Sequence, residues 1–391
     1  MKILFAASEY IEPGKPMTGF PAYLYRVTKS LEQLGHFPVI VTCGKKEFHK
    51  FDGRIEIWSV AVAYQNTFSP CWNVIENSLR SSWAVNRKIK EITSKEQVDI
   101  IQFTSINSLA LFYTGRVPAV LRLSSYAGTY FASYSTFSPR TVKAMAFLER
   151  TASKRCNVIF APCRKTAEAF EKVTGRHVFT IETPFLDDAG RYDKSFWEEN
   201  LKQKKYVLFF GTLYAEKGIL VIAEILEKFL KKNPEYYFVF AGDSQIVQGR
   251  DARKIICEAA GGYRERVVLT GALPHQKLYP IIQHADFVVL PSLMDNLPNT
   301  CIEAMYFGRI VLGTDGASFE QLIVNGRNGF LCKIGDSEDL LEKMQAITEL
   351  GQKDKQKIED SARKTIERLK PENIVKKLLR LYQCILERRK K

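Results

Sequence analysis

Two segments in the second half of the chain combine residue types that bind phosphate and sugar hydroxyls. The first runs from Gly211 to Gly218 and carries Lys217 directly before its last glycine. It follows an apolar run and precedes a helical pattern. Its glycines would let the backbone approach a phosphate at a helix N-terminus, where Lys217 adds a full positive charge. The spacing differs from a Walker A loop, because no Gly-Lys-Ser/Thr follows. The pattern indicates an anion site, and a purely structural turn is the alternative.

The second segment runs from Pro291 to Met305 and places two carboxylates eight residues apart, Asp295 in a loop and Glu303 in the following helix. Asn299 is the predicted N-cap of that helix. Carboxylates at the carboxyl edge of a parallel sheet can accept hydrogen bonds from sugar or ribose hydroxyls, beside backbone amides that hold phosphate. Surface charges favoured by the helix dipole are the alternative interpretation.

The elements that must position these residues form an α/β pattern that occurs twice. Several strand-like runs are apolar at consecutive positions, which is typical of parallel strands covered on both faces. The predicted strands are Ile3–Ala7, Pro38–Thr42, Ile55–Ala61, Val98–Phe103, Ala119–Leu123, Asn157–Ala161, Val178–Glu182, Tyr206–Gly211, Tyr237–Ala241, Val267–Thr270, Phe287–Pro291, Ile310–Gly313 and Gly329–Leu331. Helical patterns separate them, among them Ala22–Gln33, Leu220–Lys231, Asn299–Tyr306 and Glu338–Thr348. The sequence therefore predicts two doubly wound, Rossmann-like domains.

A polar, charged stretch over Pro184–Lys205 is the predicted boundary between the domains. The predicted organisation is an N-terminal domain over 1–190, a C-terminal domain over 200–370 and a final helix over 371–391. The last helix begins with a proline suited to a first helical turn and has one apolar face over Pro371–Glu387.

Composition and charge narrow the function classes. The chain has 391 residues, of which 46% are hydrophobic, so global disorder is excluded. Its net charge of +14 suits an anionic ligand, a nucleic acid or a membrane face. Eight cysteines form no Cys-x-x-Cys pair, and no apolar run approaches the length of a membrane span. We expect a cytoplasmic protein, with peripheral contact to the inner membrane face left open.

The combination of motifs resembles the retaining glycosyltransferases of family 4, which have the GT-B fold. The family pattern Gly-Arg-x-x-x-x-Lys-Gly is similar to the segment from Gly211 to Gly218. The family pattern Pro-Ser…Glu-x7-Glu-Ala-Met is similar to Pro291–Met305, and a Gly-Asp pair follows the next strand at Gly242 and Asp243. The resemblance implies two domains facing across a cleft, with the C-terminal helix crossing back to the N-terminal domain. It also implies a nucleotide-sugar donor and no essential metal or other cofactor.

The resemblance implies roles for individual residues. Glu303 would bind the donor ribose, Asp295 would contact the hydroxyls of the transferred sugar, and Lys217 would neutralise the diphosphate. These three are the expected catalytic residues. The expected donor-binding set is Gly19, Phe20, Gly211, Thr212, Lys217, Gly242, Asp243, Asp295, Asn296, Leu297, Pro298, Asn299, Thr300 and Glu303.

The chain departs from the family pattern in four places, one of which comprises two residues. Thr212 replaces the diphosphate-binding arginine, Asp295 is shorter than the family glutamate, and Phe20 replaces a second glycine after Gly19. Ser124 and Ser125 occupy a strand end where many relatives carry a histidine. The lost arginine matters most, because the leaving diphosphate needs cationic stabilisation. Arg122 is a candidate to supply that charge.

The acceptor is less readable from the sequence. Ser124, Ser125 and Tyr126 are expected on the acceptor side, together with aromatic and basic stretches over Ala63–Ile92 and Tyr126–Phe147. Such stretches could stack on sugars or meet lipid phosphate, with core packing as the alternative.

The predicted function is transfer, with retention, from a UDP-sugar, favoured over a GDP-sugar, to a carbohydrate or lipid-linked acceptor. Cell-surface glycan or glycoconjugate synthesis is the expected setting. A nucleotide-sugar 2-epimerase and a weakly active or inactive nucleotide-sugar-binding homologue are the alternatives. A nucleic-acid partner is not expected, because no nucleic-acid motif accompanies the charge.

Overall fold

The structure is a computed structural model that describes residues 1–11, 19–64, 70–130, 137–187 and 190–389. The chain forms two compact units. Unit 1 comprises Met1–Pro184 and Leu369–Lys391, and unit 2 comprises Phe185–Arg368. The final segment of the chain therefore belongs with the N-terminal part. Each unit contains a predominantly parallel sheet, so the predicted α/β fold class is confirmed.

Unit 1 has an eight-stranded sheet in the order β3-β4-β2-β1-β5-β6-β7-β8, with only β3 antiparallel to its neighbour among the described strands. Its strands are β1 (Lys2–Ala7), β2 (Phe37–Gly44), β3 (Phe48–Asp52), β4 (Ile55–Ala61), β5 (Ile100–Thr104), β6 (Ala119–Arg122), β7 (Val158–Ala161) and β8 (Val178–Thr180). Its helices are α1 (Gly19–Gln33), α2 (Pro70–Lys95), α3 (Ala127–Tyr130), α4 (Pro139–Ser153), α5 (Arg164–Thr174) and, from the end of the chain, α13 (Pro371–Arg388).

Unit 2 has a six-stranded sheet in the order β13-β10-β9-β14-β15-β16, whose described pairings are all parallel. Its strands are β9 (Lys205–Phe210), β10 (Tyr236–Ala241), β11 (Ile246–Val247), β12 (Arg250–Asp251), β13 (Val267–Gly271), β14 (Phe287–Leu290), β15 (Ile310–Thr314) and β16 (Phe330–Cys332). Its helices are α6 (Ser195–Asn200), α7 (Ile219–Lys232), α8 (Ala252–Ala259), α9 (His275–His284), α10 (Asn299–Tyr306), α11 (Ser337–Thr348) and α12 (Gln352–Glu367). Among the described helices of both units, none combines the length and hydrophobicity required to cross a bilayer.

The central strands are buried on both faces, which explains their unbroken apolar sequence. Residues Ile3 to Ala7 of β1 and Tyr206 to Phe210 of β9 are each at most 2% exposed. Parallel sheets place the carboxyl ends of neighbouring strands at one edge, and loops from that edge carry ligand-binding residues. In unit 2 the four central strands β10, β9, β14 and β15 are neighbours in that order, so the loops after them converge.

Helix α13 returns to unit 1 through an apolar stripe and one buried hydrogen-bond chain. Ile374, Leu378 and Tyr382 are each at most 1% exposed, and α13 packs against α1. The hydroxyl of Tyr382 donates to Oε1 of Gln102 at 2.6 Å, and Nε2 of Gln102 donates to the hydroxyl of Tyr23 at 3.2 Å. The helix that ends the chain is therefore tied to β5 and α1 by both apolar and polar contacts.

Candidate functional site

In unit 2, backbone hydrogen bonds join the turn after β9 to the turn after β10. The amide of Gly211 donates to the carbonyl of Ala241 at 2.9 Å, and the amide of Leu213 donates to the carbonyl of Asp243 at 2.8 Å. A Cβ atom at Gly242 would overlap the carbonyl oxygen of Gly211. A glycine is therefore required here so that the two turns can approach each other.

The turn after β9 is also packed against the loop after β14. A 3-10 turn over Ala215–Lys217 precedes Gly218, whose φ of +80° lies in the left-handed region. A Cβ atom at Gly218 would overlap the carbonyl oxygen of Pro291. The amide of Leu293 donates to the carbonyl of Glu216 at 2.8 Å. The sequence motif ending in Lys217-Gly218 thus serves to bring a lysine beside a neighbouring strand end.

That contact joins two of the predicted site residues. The ammonium of Lys217 forms an ion pair and hydrogen bond with Oδ2 of Asp295, although the two residues are 78 positions apart. Their side chains are 22% and 12% exposed, so the pair is largely shielded from water. The other carboxylate oxygen, Oδ1, accepts from the amide of Asn296 at 3.0 Å. Asp295 therefore positions the lysine ammonium and also orders its own loop.

The loop after β15 contacts the loop that carries Asp295. The hydroxyl of Ser318 donates to the backbone carbonyl of Asp295 at 3.1 Å. Ser318 is 2% exposed and has a φ of +68°, a left-handed conformation that is uncommon for a residue with a side chain. The sequence did not identify Ser318 as a contact of Asp295, because this contact depends on how the two loops fold against each other.

Helix α10 follows the Asp295 loop and carries Glu303, which is buried with 9% exposure. The N-cap of α10 is Pro298, and Asn299 is the first helical residue, so the prediction of Asn299 as the N-cap was wrong by one position. Pro298 has no side chain that can satisfy the first amides. Among the described residues, no side-chain cap bond satisfies the amides of the first turn, which include those of Asn299 and Thr300, and such amides are typical of an anion-binding helix start.

One thiol at this site is unsuited to nucleophilic chemistry. Cys301 is fully buried in α10, and burial, followed by the nearby charge of Asp295, raises the pKa of its thiol far above the ordinary range. A thiolate would be the reactive form, and here it is strongly disfavoured. The chemistry available at this strand edge is therefore charge and hydrogen bonding rather than covalent catalysis by Cys301.

The remaining predicted donor-side residues of unit 2 lie on the same strand edge, and their side chains differ in solvent exposure. Thr212 and Gly242 are partly buried, Asp243 is exposed, and Leu297 is buried at 7% exposure. The predicted set Gly211, Thr212, Lys217, Gly242, Asp243, Asp295, Asn296, Leu297, Pro298, Asn299, Thr300 and Glu303 thus lies on the turns after β9, β10 and β14 and on the start of α10.

Unit 1 has its own polar cluster at the carboxyl end of β6. The guanidinium of Arg122 lies 3.8 Å from the ring centroid of Tyr23 and 5.6 Å from that of Phe20. Its Nη1 donates to Oγ of Ser124 at 2.8 Å, and its Nη2 donates to Oγ1 of Thr183 at 3.3 Å. Arg122 is 4% exposed, and burial lowers its pKa. The structure therefore groups Phe20 and Ser124 around an arginine whose described contacts all lie inside unit 1.

The other predicted unit 1 residues are placed differently. Gly19 begins α1 with a φ of +61° and has open space where a Cβ would be. The backbone carbonyl of Ser125 accepts from Oγ of Ser105 at 3.4 Å. Tyr126 is 5% exposed, with its ring edge-on to Phe170 at 5.3 Å, so its side chain packs in the core. Residues 65–69 and 131–136 of the two aromatic stretches lie outside the described residues.

A buried carboxyl lies next to this cluster and was not predicted. Oε2 of Glu149 accepts from the amide of Ala127 at 2.8 Å, and the side chain is 7% exposed. Burial raises the pKa of this carboxyl to about 8, although the hydrogen bonds from Ala127 and Ser105 oppose the shift. The sequence gives no signal for this, since Glu149 occurs in an ordinary helical pattern.

Comparison with known proteins assigns both halves of the chain to related families. Residues 17–184 match the family Glycosyltransferase Family 4, and residues 192–365 match the family Glycosyl transferases group 1. Over 227 residues the chain is 22% identical to a GDP-mannose:cellobiosyl-diphosphopolyprenol alpha-mannosyltransferase of Xanthomonas campestris, covering 58% of this chain and 57% of that protein. Across the first curated relatives, the chain spans between about a third and three fifths of their length.

Two solved structures share the fold over the whole chain. Sucrose-phosphate synthase from Thermosynechococcus elongatus has a TM-score of 0.79 and 15% identity, with 99% of each chain covered. The Anabaena protein HepE, solved in complex with UDP and glucose, has a TM-score of 0.69 and 18% identity, covering 98% of this chain and all of that one. At these identities the similarity shows the fold alone.

Proposed function

Since the chain belongs to family 4 of the glycosyltransferases with the GT-B fold, we propose that it transfers a sugar from a nucleoside diphosphate donor to an acceptor hydroxyl. The anomeric configuration is retained, and neither a metal nor another cofactor takes part. The domains named in the sequence prediction, 1–190 and 200–370, are proposed as the acceptor side and the donor side, and the helix over 371–391 is proposed to return to the N-terminal domain.

The observation that carries the proposal is the convergence of Lys217, Asp295 and the start of α10 at one edge of the unit 2 sheet. A donor diphosphate carries negative charge, and this edge offers the ammonium of Lys217 and the uncapped amides of the α10 start, as far as the described residues show. Hydroxyl groups of the donor need acceptors, which the carboxylates of Asp295 and Glu303 provide. The donor is therefore assigned to unit 2.

We assign separate roles to Lys217, Glu303 and Asp295. Lys217 neutralises the diphosphate, Glu303 accepts a hydrogen bond from the ribose, and Asp295 contacts the transferred sugar while keeping Lys217 in place. The amides of Asn299 and Thr300 hold the phosphate oxygens. Thr212 stands where the family carries an arginine, so Lys217 provides the cationic stabilisation of this edge, and the leaving group depends strongly on it.

Retention follows from using the leaving phosphate as the base. The bond between the anomeric carbon and the phosphate oxygen breaks, and the acceptor oxygen bonds to that carbon from the same face. The acceptor proton passes to the departing phosphate oxygen. No side-chain nucleophile is needed, which suits a site where the thiol of Cys301 is held protonated. The binding elements lower the barrier by stabilising charge on the diphosphate.

The acceptor is proposed to be a carbohydrate or a lipid-linked sugar. The Xanthomonas relative is described as acting on a cellobiosyl-diphosphopolyprenol, which supports a lipid-linked acceptor. The HepE structure contains UDP, which supports UDP as the nucleotide, whereas the Xanthomonas relative is described as using GDP-mannose. We propose UDP as the preferred base, a role in cell-surface glycan synthesis, and an acceptor site that includes Ser124 and Ser125.

The proposal is tested by measuring transfer with Lys217→Ala and Glu303→Gln. Loss of a charge-stabilising group at a transition state typically lowers kcat by about 100-fold to 1,000-fold, so we expect Lys217→Ala to lose turnover on that scale. Glu303→Gln should mainly raise the KM for donor. Lys228→Ala and Glu224→Gln, two exposed substitutions on α7, are the matched controls and should leave transfer unchanged. Equal turnover in Lys217→Ala and Lys228→Ala would reject the assignment.

One observation favours a second candidate function. Lys217 forms an ion pair with Asp295, which partly neutralises its charge, and the family arginine is replaced by Thr212. A nucleotide-sugar-binding protein with little or no turnover would have such a weakened site. Donor binding without any product, across soluble and lipid-linked acceptors, would support this candidate over the transferase. Release of an epimerised sugar from donor alone would identify a 2-epimerase instead.

A further inference from the structure

A groove of about 650 Å³ in unit 1 is lined by residues of α13, β7 and β8 and of the segments next to these strands. Its floor is apolar and is formed by Val158 at the start of β7, Phe179 and Ile181 at and after β8, and Leu381 and Ile385 of α13. Phe179 is 42% exposed, which is unusual for a large aromatic side chain. The groove therefore presents apolar surface that this chain leaves in contact with solvent.

The rim of the groove is basic. Lys377, Arg380, Arg388 and Arg389 all line it, and all four are exposed. Nζ of Lys377 lies 3.7 Å from Oε2 of Glu182. Within the described chain, no carboxylate lies at ion-pair distance from any of the three arginines. Their charges are therefore directed at solvent around an apolar floor.

The basic rim continues into a second depression at the last turn of α13. This depression, of about 560 Å³, shares Pro118 and Arg389 with the groove and adds Arg116. Asp99 also lines this depression, and its carboxylate already accepts a hydrogen bond from the backbone amide of Lys2 at 2.7 Å. The cationic surface around the end of α13 thus extends past the groove itself.

From this juxtaposition of an apolar floor and a basic rim whose three arginines have no carboxylate partner among the described residues, we propose that the groove binds an anionic phospholipid. An acyl chain lies along Val158, Phe179 and Ile385, and the phosphate contacts Arg380 and Arg388. Basic clusters on an amphipathic helix are the usual recognition element for anionic lipid headgroups. A second copy of the chain fits poorly, since both copies would bring the same arginines and a net charge of +14. The inference stands on the groove alone and does not depend on which sugar is transferred.

The test compares two triple charge reversals of the full-length chain on lipid vesicles. Arg380→Glu, Arg388→Glu and Arg389→Glu change the groove. Lys353→Glu, Lys357→Glu and Lys364→Glu, exposed positions on α12 of unit 2, make the same change in net charge elsewhere and serve as the matched control. Co-sedimentation uses vesicles of phosphatidylcholine alone and vesicles of phosphatidylcholine mixed with phosphatidylglycerol.

We expect the unaltered chain to bind only the vesicles that contain phosphatidylglycerol. The groove variant should bind the vesicles that contain phosphatidylglycerol at least about tenfold more weakly. The control variant should stay within about twofold of the unaltered chain. Circular dichroism melts check that both variants are folded. Equal losses in the two variants would show that net charge alone drives binding, and no binding by the unaltered chain would also overturn the proposal.

A second measurement tests whether an acyl chain enters the groove. Cys384 is exposed and lines it, so a fluorophore placed there reports on its contents after Cys71→Ser and Cys257→Ser remove the other partly accessible thiols. Phosphatidylglycerol brominated along its acyl chain should quench this fluorophore, and Phe179→Ser should reduce the quenching. Binding to vesicles without quenching would exclude the acyl chain and leave a purely electrostatic contact.

Discussion

At the scale of single residues, Gly218 is the position on which the unit 2 site most depends. It combines a φ of +80° with direct backbone packing on Pro291, so Gly218→Ala faces both conformational strain and overlap. We expect a loss of about 1–3 kcal/mol in the free energy of unfolding, measured by urea denaturation. Gly262→Ala is the matched control, because a Cβ there meets nothing within 4 Å. Identical urea midpoints for the two variants would contradict this account.

Glu149 predicts a pH dependence of stability in unit 1. Its carboxyl pKa is raised to about 8 in the folded chain, whereas the unfolded value is near 4.5. Between these two values the unfolded state loses the proton and the folded state keeps it. Stability therefore falls as pH rises through this window, by at most about 1.4 kcal/mol per pH unit.

Glu149→Gln keeps an oxygen for the amide of Ala127 but cannot ionise, so it should flatten this pH dependence. Urea unfolding at several pH values between 5 and 8 measures the slope. Glu168→Gln, an exposed change on α5, should leave the slope of the unaltered chain in place. A slope that is equally steep in Glu149→Gln would assign the pH dependence to other groups.

The sequence was a good guide to motif residues but a poor guide to their contacts. Lys217 and Asp295 were both identified, each with its own role, whereas their ion pair arises from loops 78 positions apart. The burial of Glu149 and Arg122 likewise depends on tertiary packing. Such pairings lie beyond any local pattern, because residue spacing reports only on neighbours within one element.

At the scale of elements, all thirteen predicted strands are present with small shifts of their ends. Consecutive apolar residues identify a buried parallel strand, and this signal was present in several of the thirteen runs. The strand β3, Phe48–Asp52, was not predicted. Its residues are mostly exposed and mix polar with aromatic side chains, so an edge strand of this kind lacks the buried pattern.

The hydrogen-bond chain from α13 gives an element-scale prediction. Tyr382→Phe removes the donor to Oε1 of Gln102 and leaves that buried oxygen without its partner. The expected cost is about 1–3 kcal/mol of unfolding free energy, measured by urea denaturation. Tyr237→Phe, on β10 of unit 2, removes a hydroxyl for which the described residues show no hydrogen bond. Comparable destabilisation by the two changes would argue against a structural role for the α13 chain.

At the scale of the whole molecule, the chain consists of one contiguous unit and one that is completed by its C-terminus. Unit 2 runs without interruption from Phe185 to Arg368, whereas unit 1 also includes the segment from Leu369 onward. We expect residues 185–368 to fold alone, with a cooperative urea transition. Residues 1–184 alone should lack the partner of the apolar face on α1 and should aggregate or unfold.

Adding residues 369–391 as a separate peptide should restore a cooperative transition to residues 1–184. Near-ultraviolet circular dichroism follows the recovery of fixed aromatic packing, because those signals require aromatic side chains held in one environment. A stable, cooperative fold for residues 1–184 without the peptide would contradict the division of the chain into these units.

The central claim is that the strand edge of unit 2 binds a nucleoside diphosphate sugar through Lys217. Isothermal titration of the full chain with UDP-glucose and GDP-mannose tests it most directly, using Lys217→Ala beside Lys228→Ala. We expect binding of at least one donor by the unaltered chain and by Lys228→Ala, and a loss of about tenfold or more in affinity for Lys217→Ala. Equal affinity in the two lysine variants, or no binding of either donor by the unaltered chain, would contradict the account.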